Sequence, residues 1–349
     1  GKADRGLEGV LSPASPAEGS LGSAATMQSG PAQVFGRLRE LEVSGLVLGS
    51  GGCGTVLAGK FRKNPVAVKQ WVAKDAEGNV VKCWSDASML NDLRVFRNVR
   101  HPSIARFHGA FVSKEDDALL LVLEKVGGPT LNKFIARLEA WRYAPQHAAT
   151  QVNLMLQVIN TLIYLHSRRP AIVHADLKPN NIIVETRKGG CFPKLLDFGL
   201  TSTITRGAKL EGGSPRFVAP EIVRLRSLCE PQPSCDVFSL GRVLFFVACG
   251  RAPLASVPKK DLLDMMRRGE PPPNLAWAPK TMLLERQREI IESCTAFDPQ
   301  SRPAMQEVFD FITETSPGPQ EVDRPTTQRM ESISESPEPS HMQQWCAEL

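Results

Sequence analysis

Hydrophobic spacing changes character once along this chain, near Gly127-Gly128, and that switch restricts the fold more than any single motif. Before it, in 40–126, apolar residues come in short alternating or β-branched runs: 46–48, 55–57, 66–68 and 119–123. Gly and Asn lie between them, so they read as strands joined by turns, with one turn expected near Lys63-Asn64-Pro65. A single helical stretch interrupts, carried by Met89, Leu93, Phe96 and Val99. After residue 129 the pattern is mainly helical. The stretch 151–166 has a wide apolar stripe, including Met155, Ile159, Leu162 and Ile163. Met305, Val308, Phe309 and Ile312 repeat the spacing of an amphipathic helix. The expectation is an α+β fold with two lobes, a small β-rich one over 40–126 and a larger α-rich one over 129–314. The flanks differ: 1–35 is rich in Gly, Ala, Ser and Pro, and 315–349 in Ser, Pro and Glu. Both read as disordered segments outside a domain spanning 40–314.

Several classes of partner fall away on composition. The formal net charge is only +5, and no basic run carries interleaved aromatics, so no nucleic acid is expected. The longest apolar runs, 118–123 and 243–249, are far short of the roughly 20 residues a bilayer span needs. The first residues carry no signal-peptide core, and no membrane partner is expected. None of the eight cysteines falls in a CxxC spacing, which argues against zinc. A chain of 349 residues needs no disulfide staples, so reduced thiols and a cytoplasmic location are expected.

Four segments carry candidate chemistry. Gly49-Ser50-Gly51-Gly52-Cys53-Gly54-Thr55-Val56 is a glycine-rich turn of the kind whose bare backbone approaches phosphate oxygens. Dinucleotide-binding folds use a similar string but open a helix at its last glycine. Here Thr55-Val56-Leu57-Ala58-Gly59 reads as a second strand, so a hairpin over phosphates fits better. Val66-Ala67-Val68-Lys69 ends a strand on a lysine fifteen residues after Gly54, within reach of the same phosphates. His174-Ala175-Asp176-Leu177-Lys178-Pro179-Asn180-Asn181 crowds Asp, Lys and Asn behind an apolar strand, which is costly unless they satisfy one another. Asp197-Phe198-Gly199 follows the apolar pair Leu195-Leu196. Three further segments, 213–221, 236–241 and 298–303, each read alone as a capped helix start or a turn.

In order and spacing, these seven segments resemble the signature set of protein kinases, from about residue 44 to about 313. The strings 65–69 and 212–221 look most like the tyrosine-kinase-like group, and Lys178 two residues after Asp176 resembles the serine/threonine pattern. The resemblance implies a bilobal kinase fold, ATP and Mg²⁺ as cofactors, and a protein substrate with a serine or threonine hydroxyl. By similarity, Gly49, Gly51 and Gly54 cover the phosphates. Leu48, Val56, Ala67 and Ile183 line the adenine slot, Leu123 is the gatekeeper, and the backbone of 124–126, Glu124 and Val126 included, meets the base. Lys69 holds the α- and β-phosphates. Asp176 is the base for the substrate hydroxyl, Lys178 neutralises the moving phosphate, and Asn181 and Asp197 bind Mg²⁺. Ser214 contacts the Asp176–Lys178 pair, and Glu221 and Arg302 form a buried ion pair.

The chain departs from that pattern in three places. Counting back nine residues from His101 gives Asp92 where the partner of Lys69 is usually Glu, a side chain shorter by about 1.5 Å. The helix must then sit closer, or the pair weakens, or water bridges it; Glu77 lies outside the helical stretch. Ala175 stands where an arginine commonly meets an activation-loop phosphate, so activity is expected not to depend on phosphate there, although Thr201, Ser202, Thr203 and Thr205 lie in the loop. Cys53 occupies the tip of the glycine loop. These departures keep open a second reading, a catalytically impaired pseudokinase acting as a binding or scaffold module.

Overall fold

The computed structural model describes residues 40–51, 54–70, 73–74, 80–81, 87–113, 118–140, 145–204, 208–210, 212–277 and 282–316. The readings of 1–35, Cys53, Glu77, Thr205 and nearly all of 315–349 lie outside them. Strand β1 (Leu41–Gly51) turns back into β2 (Gly54–Phe61), and β2 into β3 (Asn64–Gln70). The second turn is Arg62-Lys63, one residue earlier than the Asn-Pro pair suggests. Both residues take positive φ, 50° and 67°, which matches the twist of a two-residue hairpin, and Pro65 is left inside β3 opposite Lys60. A short pair, β4 (Ala73–Lys74) and β5 (Val80–Val81), precedes helix α1 (Ala87–Asn98). Strands β6 (Phe107–Ser113) and β7 (Ala118–Glu124) complete an antiparallel sheet in the order β1-β2-β3-β7-β6.

Alternation along β3 fixes what each face does. Val66 and Val68 pack with Phe111, Leu120 and Val122 on one side. Ala67 and Lys69 take the other side, which Leu119, Leu121 and Leu123 of β7 share with the main core. Lys69 is therefore carried to the inner face by the same period that buries the valines.

The second lobe comprises α2 (Leu131–Ala140), α3 (Pro145–His166), β8 (Ile172–Val173), β9 (Ile182–Arg187), β10 (Gly190–Leu195), β11 (Ser202–Thr203), α4 (Pro220–Leu225), α5 (Pro233–Cys249), α6 (Lys259–Arg268), α7 (Met282–Cys294) and α8 (Met305–Thr315). It is less purely helical than the apolar pattern implies. β9 pairs with β10, and β8 with β11. Helix α5 is buried nearly throughout, and Gly241 lets α7 close on it: a Cβ there would stand 2.7 Å from that of Cys294. Met305, Val308 and Ile312 of α8 are buried, as their spacing implies. One core cluster runs from α1 and β7 through α3, α5, α7 and α8. Within it Phe198 meets Phe96 of α1 edge-on at 4.9 Å and His174 at 5.0 Å. This β-rich region followed by a helical one is the bilobal α+β fold.

Candidate active site

Lys69 donates to Asp92 Oδ2 at 2.5 Å and to Asp197 Oδ1 at 2.6 Å. Asp92 sits fully buried on α1, and its other oxygen accepts the Phe198 amide at 3.0 Å. Despite the missing methylene, the Lys69–Asp92 pair is direct. Burial pulls the Lys69 ammonium down, but Asp92 and Asp197 outweigh it and hold its pKa above the usual lysine value. One cation serves two carboxylates, and they divide unequally. Burial pushes Asp92 up to about 6, only partly offset by Lys69. For Asp197 burial also acts upward, but the charge and hydrogen bond of Lys69 and the Gly199 amide hold it below the usual carboxylate range.

The loop 174–181 is fixed from below. Asp236, at the start of α5 and wholly buried, accepts the amides of His174 at 2.8 Å and Ala175 at 2.9 Å. His166 Nε2 lies 2.9 Å from the same carboxylate. These bonds hold Ala175 at a φ of 64°, a left-handed value rare outside glycine. The turn they impose aims Asp176 inward. Its Oδ2 accepts from Lys178 at 2.5 Å and Asn181 Nδ2 at 3.1 Å, and its Oδ1 from Ser214 Oγ at 3.0 Å. Asn181 also donates to the Asp176 carbonyl at 2.9 Å, so both of these bonds use its Nδ2. The Leu196 amide donates to the Asn181 carbonyl, which joins this loop to 197–199.

The residues expected around a nucleotide fall on β1, β2, β3, β7, the link that follows β7, and β9. Gly49 pairs with Val56, Gly51 with Gly54, Val56 with Lys69, and Ala67 with Leu123. Leu48 is largely exposed on β1. The carboxylate of Glu124, at the end of β7, is taken by Lys194 and the Arg106 amide, and its own amide donates to Arg106 O, so its backbone N–H is already committed. Val126 lies in the link to Gly128, whose φ of 130° and contact with the Val184 carbonyl allow no side chain. Ile183 of β9 forms a bridge with Thr130. A strand follows the glycine loop, not a helix, which removes the dinucleotide-fold reading.

Beyond Ser214, the segment 214–221 is anchored to the helical lobe. Arg302 forks onto Glu221 at 2.6 and 2.8 Å, and Cys235 Sγ donates to the same carboxylate at 3.4 Å. Arg216 donates to the carbonyls of Pro253, Leu254, Ala255 and Val257. The sequence places Asp236 at the head of the segment 236–241 and Thr201 in the loop but assigns neither a role in holding 174–181; the Thr201 hydroxyl donates to the His174 carbonyl.

The family model for the protein kinase domain matches residues 43–311. The chain is 30% identical over 298 residues to the mitogen-activated protein kinase kinase kinase 7 of Bos taurus, covering 83% of this chain and 47% of that protein. Its Drosophila melanogaster counterpart is 28% identical, over 76% of this chain and 36% of its own length. A probable serine/threonine-protein kinase, drkB, of Dictyostelium discoideum is 25% identical over 77% of this chain and 36% of that protein. The chain spans about half the length, or less, of the curated relatives it matches. Protein kinases as a family use ATP with Mg²⁺. With the fold, the paired lysine and the match over 43–311 in agreement, this chain belongs to the protein kinase family.

Proposed function

We propose that this chain transfers the γ-phosphate of ATP to serine or threonine hydroxyls of a protein. The observation that carries the reading is one continuous set of contacts: Asp92–Lys69–Asp197, then Leu196 to Asn181, Asn181 to Asp176, and Asp176 to Lys178 and Ser214. Phosphoryl transfer needs positioning and charge neutralisation more than covalent chemistry, and this set supplies both. Lys69 grips the phosphates, Asp176 accepts the hydroxyl proton, and Lys178 offsets charge on the moving group. A Cβ on Gly49 would meet no protein atom within 4 Å, so packing does not require glycine there, and the bare backbone suits a close phosphate.

The residues also fit a magnesium ion. Asn181 Oδ1 and Asp197 Oδ2 are hard oxygen donors, and Mg²⁺ needs only one or two from protein, taking the rest from water and phosphate. When bound, the ion neutralises phosphate charge. No group of three or more His, Cys, Asp or Glu able to hold a metal occurs among the described residues. We place the domain at 40–314, supported by elements from Leu41 to Thr315. The free cysteines among the described residues, Cys191, Cys229, Cys235, Cys249 and Cys294, support a cytoplasmic setting. No helix of the described residues is long and apolar enough to cross a membrane.

The scaffold alternative rests on the short Asp92 and the unusual loop tip at Cys53; the direct Lys69 contact speaks against the first, and Cys53 lies outside the described residues. The test is transfer from labelled ATP to a generic protein substrate, with Asp176→Asn and Lys69→Met alongside. Equal signal from all three proteins overturns the proposal.

A further inference from the structure

Two thiols sit against the ion pair that anchors the segment 214–221. Cys229 caps the short turn 226–228 that follows α4, and Cys235 lies in the first turn of α5. Both belong to the apolar cluster of Val218, Ala219 and Ile222. Their sulfurs share a hydrogen bond. Cys235 Sγ also donates at 3.4 Å to Glu221 Oε1, the oxygen that Arg302 Nη1 takes at 2.6 Å. A change in the state of this thiol pair therefore reaches the anchor directly.

The two thiols are not equivalent. The bond to Cys235 holds the Cys229 thiol below its usual pKa. The same bond, burial and the charge of Glu221 push the Cys235 thiol well up. Cys229 is the one that ionises, and the thiolate is the nucleophile of sulfur chemistry.

Cys229 is also the one next to the surface. Its side chain is buried, but 224–228 and Glu230 on either side of it are all exposed. Two backbone bonds hold it: its amide to the Arg226 carbonyl at 2.8 Å, and the Leu210 amide to its carbonyl at 2.9 Å. Arg226 takes a φ of 48° without being glycine, a strain of about 1–3 kcal/mol. A short strained turn with exposed neighbours opens locally at far less cost than the domain unfolds.

We propose that Cys229 and Cys235 form a redox switch, which hydrogen peroxide, admitted by opening of the turn 226–228, closes to a disulfide. The Cys229 thiolate attacks one peroxide oxygen and the O–O bond breaks. This leaves a sulfenic acid, and the departing hydroxide takes up the proton Cys229 released. Cys235 Sγ then attacks the Cys229 sulfur, the S–O bond breaks, and the leaving hydroxide carries off the Cys235 proton as water. Two thiols lose two electrons, and one peroxide becomes two waters. The disulfide has no proton to give, so Glu221 loses a donor. Its S–S bond of about 2 Å also draws the turn onto α5. Transfer to the protein substrate falls as the anchor of 214–221 loosens; this effect rests on the kinase reading above.

The experiment treats the full chain with hydrogen peroxide, then alkylates, digests with trypsin and weighs the peptide 227–242, which carries both cysteines. After peroxide it is expected two hydrogens lighter and closed to alkylation, and dithiothreitol should reverse both. In parallel, kcat/KM for a protein substrate with MgATP should fall at least about tenfold and recover with dithiothreitol. The KM for ATP should stay unchanged. Cys229→Ser should keep its untreated activity and escape the loss, and Cys229→Ala serves if the serine variant does not fold. A peptide that stays alkylatable, linkage without loss of transfer, or a loss that persists in the Cys229 variant overturns the proposal. Mass and transfer are read separately: a linked peptide in a protein that never transfers phosphate removes the kinase reading and keeps the disulfide, while transfer with an unlinked peptide does the reverse.

Discussion

The two oxygens of Asp92 serve different masters: Oδ2 holds Lys69 at 2.5 Å, and Oδ1 holds the Phe198 amide at 3.0 Å. Helix α1, strand β3 and the segment 197–199 therefore meet on one fully buried carboxylate.

That geometry makes glutamate a poor replacement. Asp92→Glu forces a methylene into a packed site, at about 1–3 kcal/mol. It should lower both the melting temperature and kcat/KM, and Asp92→Asn should lower kcat/KM further. A Glu variant faster than wild type in steady-state assays contradicts this account.

Acidity should reach the same carboxylate first. With Asp92 at about 6 and Asp197 below its usual range, a fall through pH 6 protonates Asp92 while Asp197 stays charged. A folded value above the unfolded 3.8 means that its contribution to stability is full below about 3.8 and lost as pH rises through 6. Carboxyl ¹³C shifts should give a midpoint near 6 for Asp92, alongside falling activity on the acid side. A midpoint below 4 is the contrary result.

Arg302 and Glu221 are both buried, so removing one partner strands a charge. Arg302→Met should cost about 3–5 kcal/mol in urea unfolding, and pairing it with Glu221→Leu should recover much of that. A single-variant loss under about 1 kcal/mol would show that the anchor carries little.

Ala175 offers no cation to a phosphorylated loop; its methyl is buried in an apolar cluster and its amide is held by Asp236. Phosphatase treatment should leave the transfer rate essentially unchanged, as followed by mass spectrometry and labelled ATP in parallel. Complete inactivation on dephosphorylation refutes it. Arg at this position, nine-tenths buried, should destabilise the fold.

Lowering kcat by about 10²- to 10⁴-fold is the expected effect of Asp176→Asn, since a positioned base contributes on that order. Substrate affinity should change much less, and a loss confined to KM would deny Asp176 the role of base.

Much of this was legible in the residues themselves. The lysine of β3 announced itself because period 2 fixes its face and spacing fixes its distance from Gly54. The helical lobe was legible in the 3.6-residue stripes of α3 and α8. Long-range partners were not. Asp92 could be located by counting, but whether the helix closed the gap depended on packing by Phe96 and Phe198. The grip of Asp236 on His174 and Ala175 joins segments about 60 residues apart, and no local pattern encodes it. Arg242 interrupts an apolar run as any solvated arginine does, and only the tertiary structure reveals it to be enclosed. The partners of β8 and β9 are not legible in either strand's own pattern.

Because Asp236 belongs to a helix buried nearly throughout, the aim of Asp176 is inherited from the core and not from the loop that bears it. Heating should therefore leave the proton acceptor correctly oriented until the lower lobe itself melts, so that inactivation below that temperature reports on the glycine hairpin or helix α1 letting go.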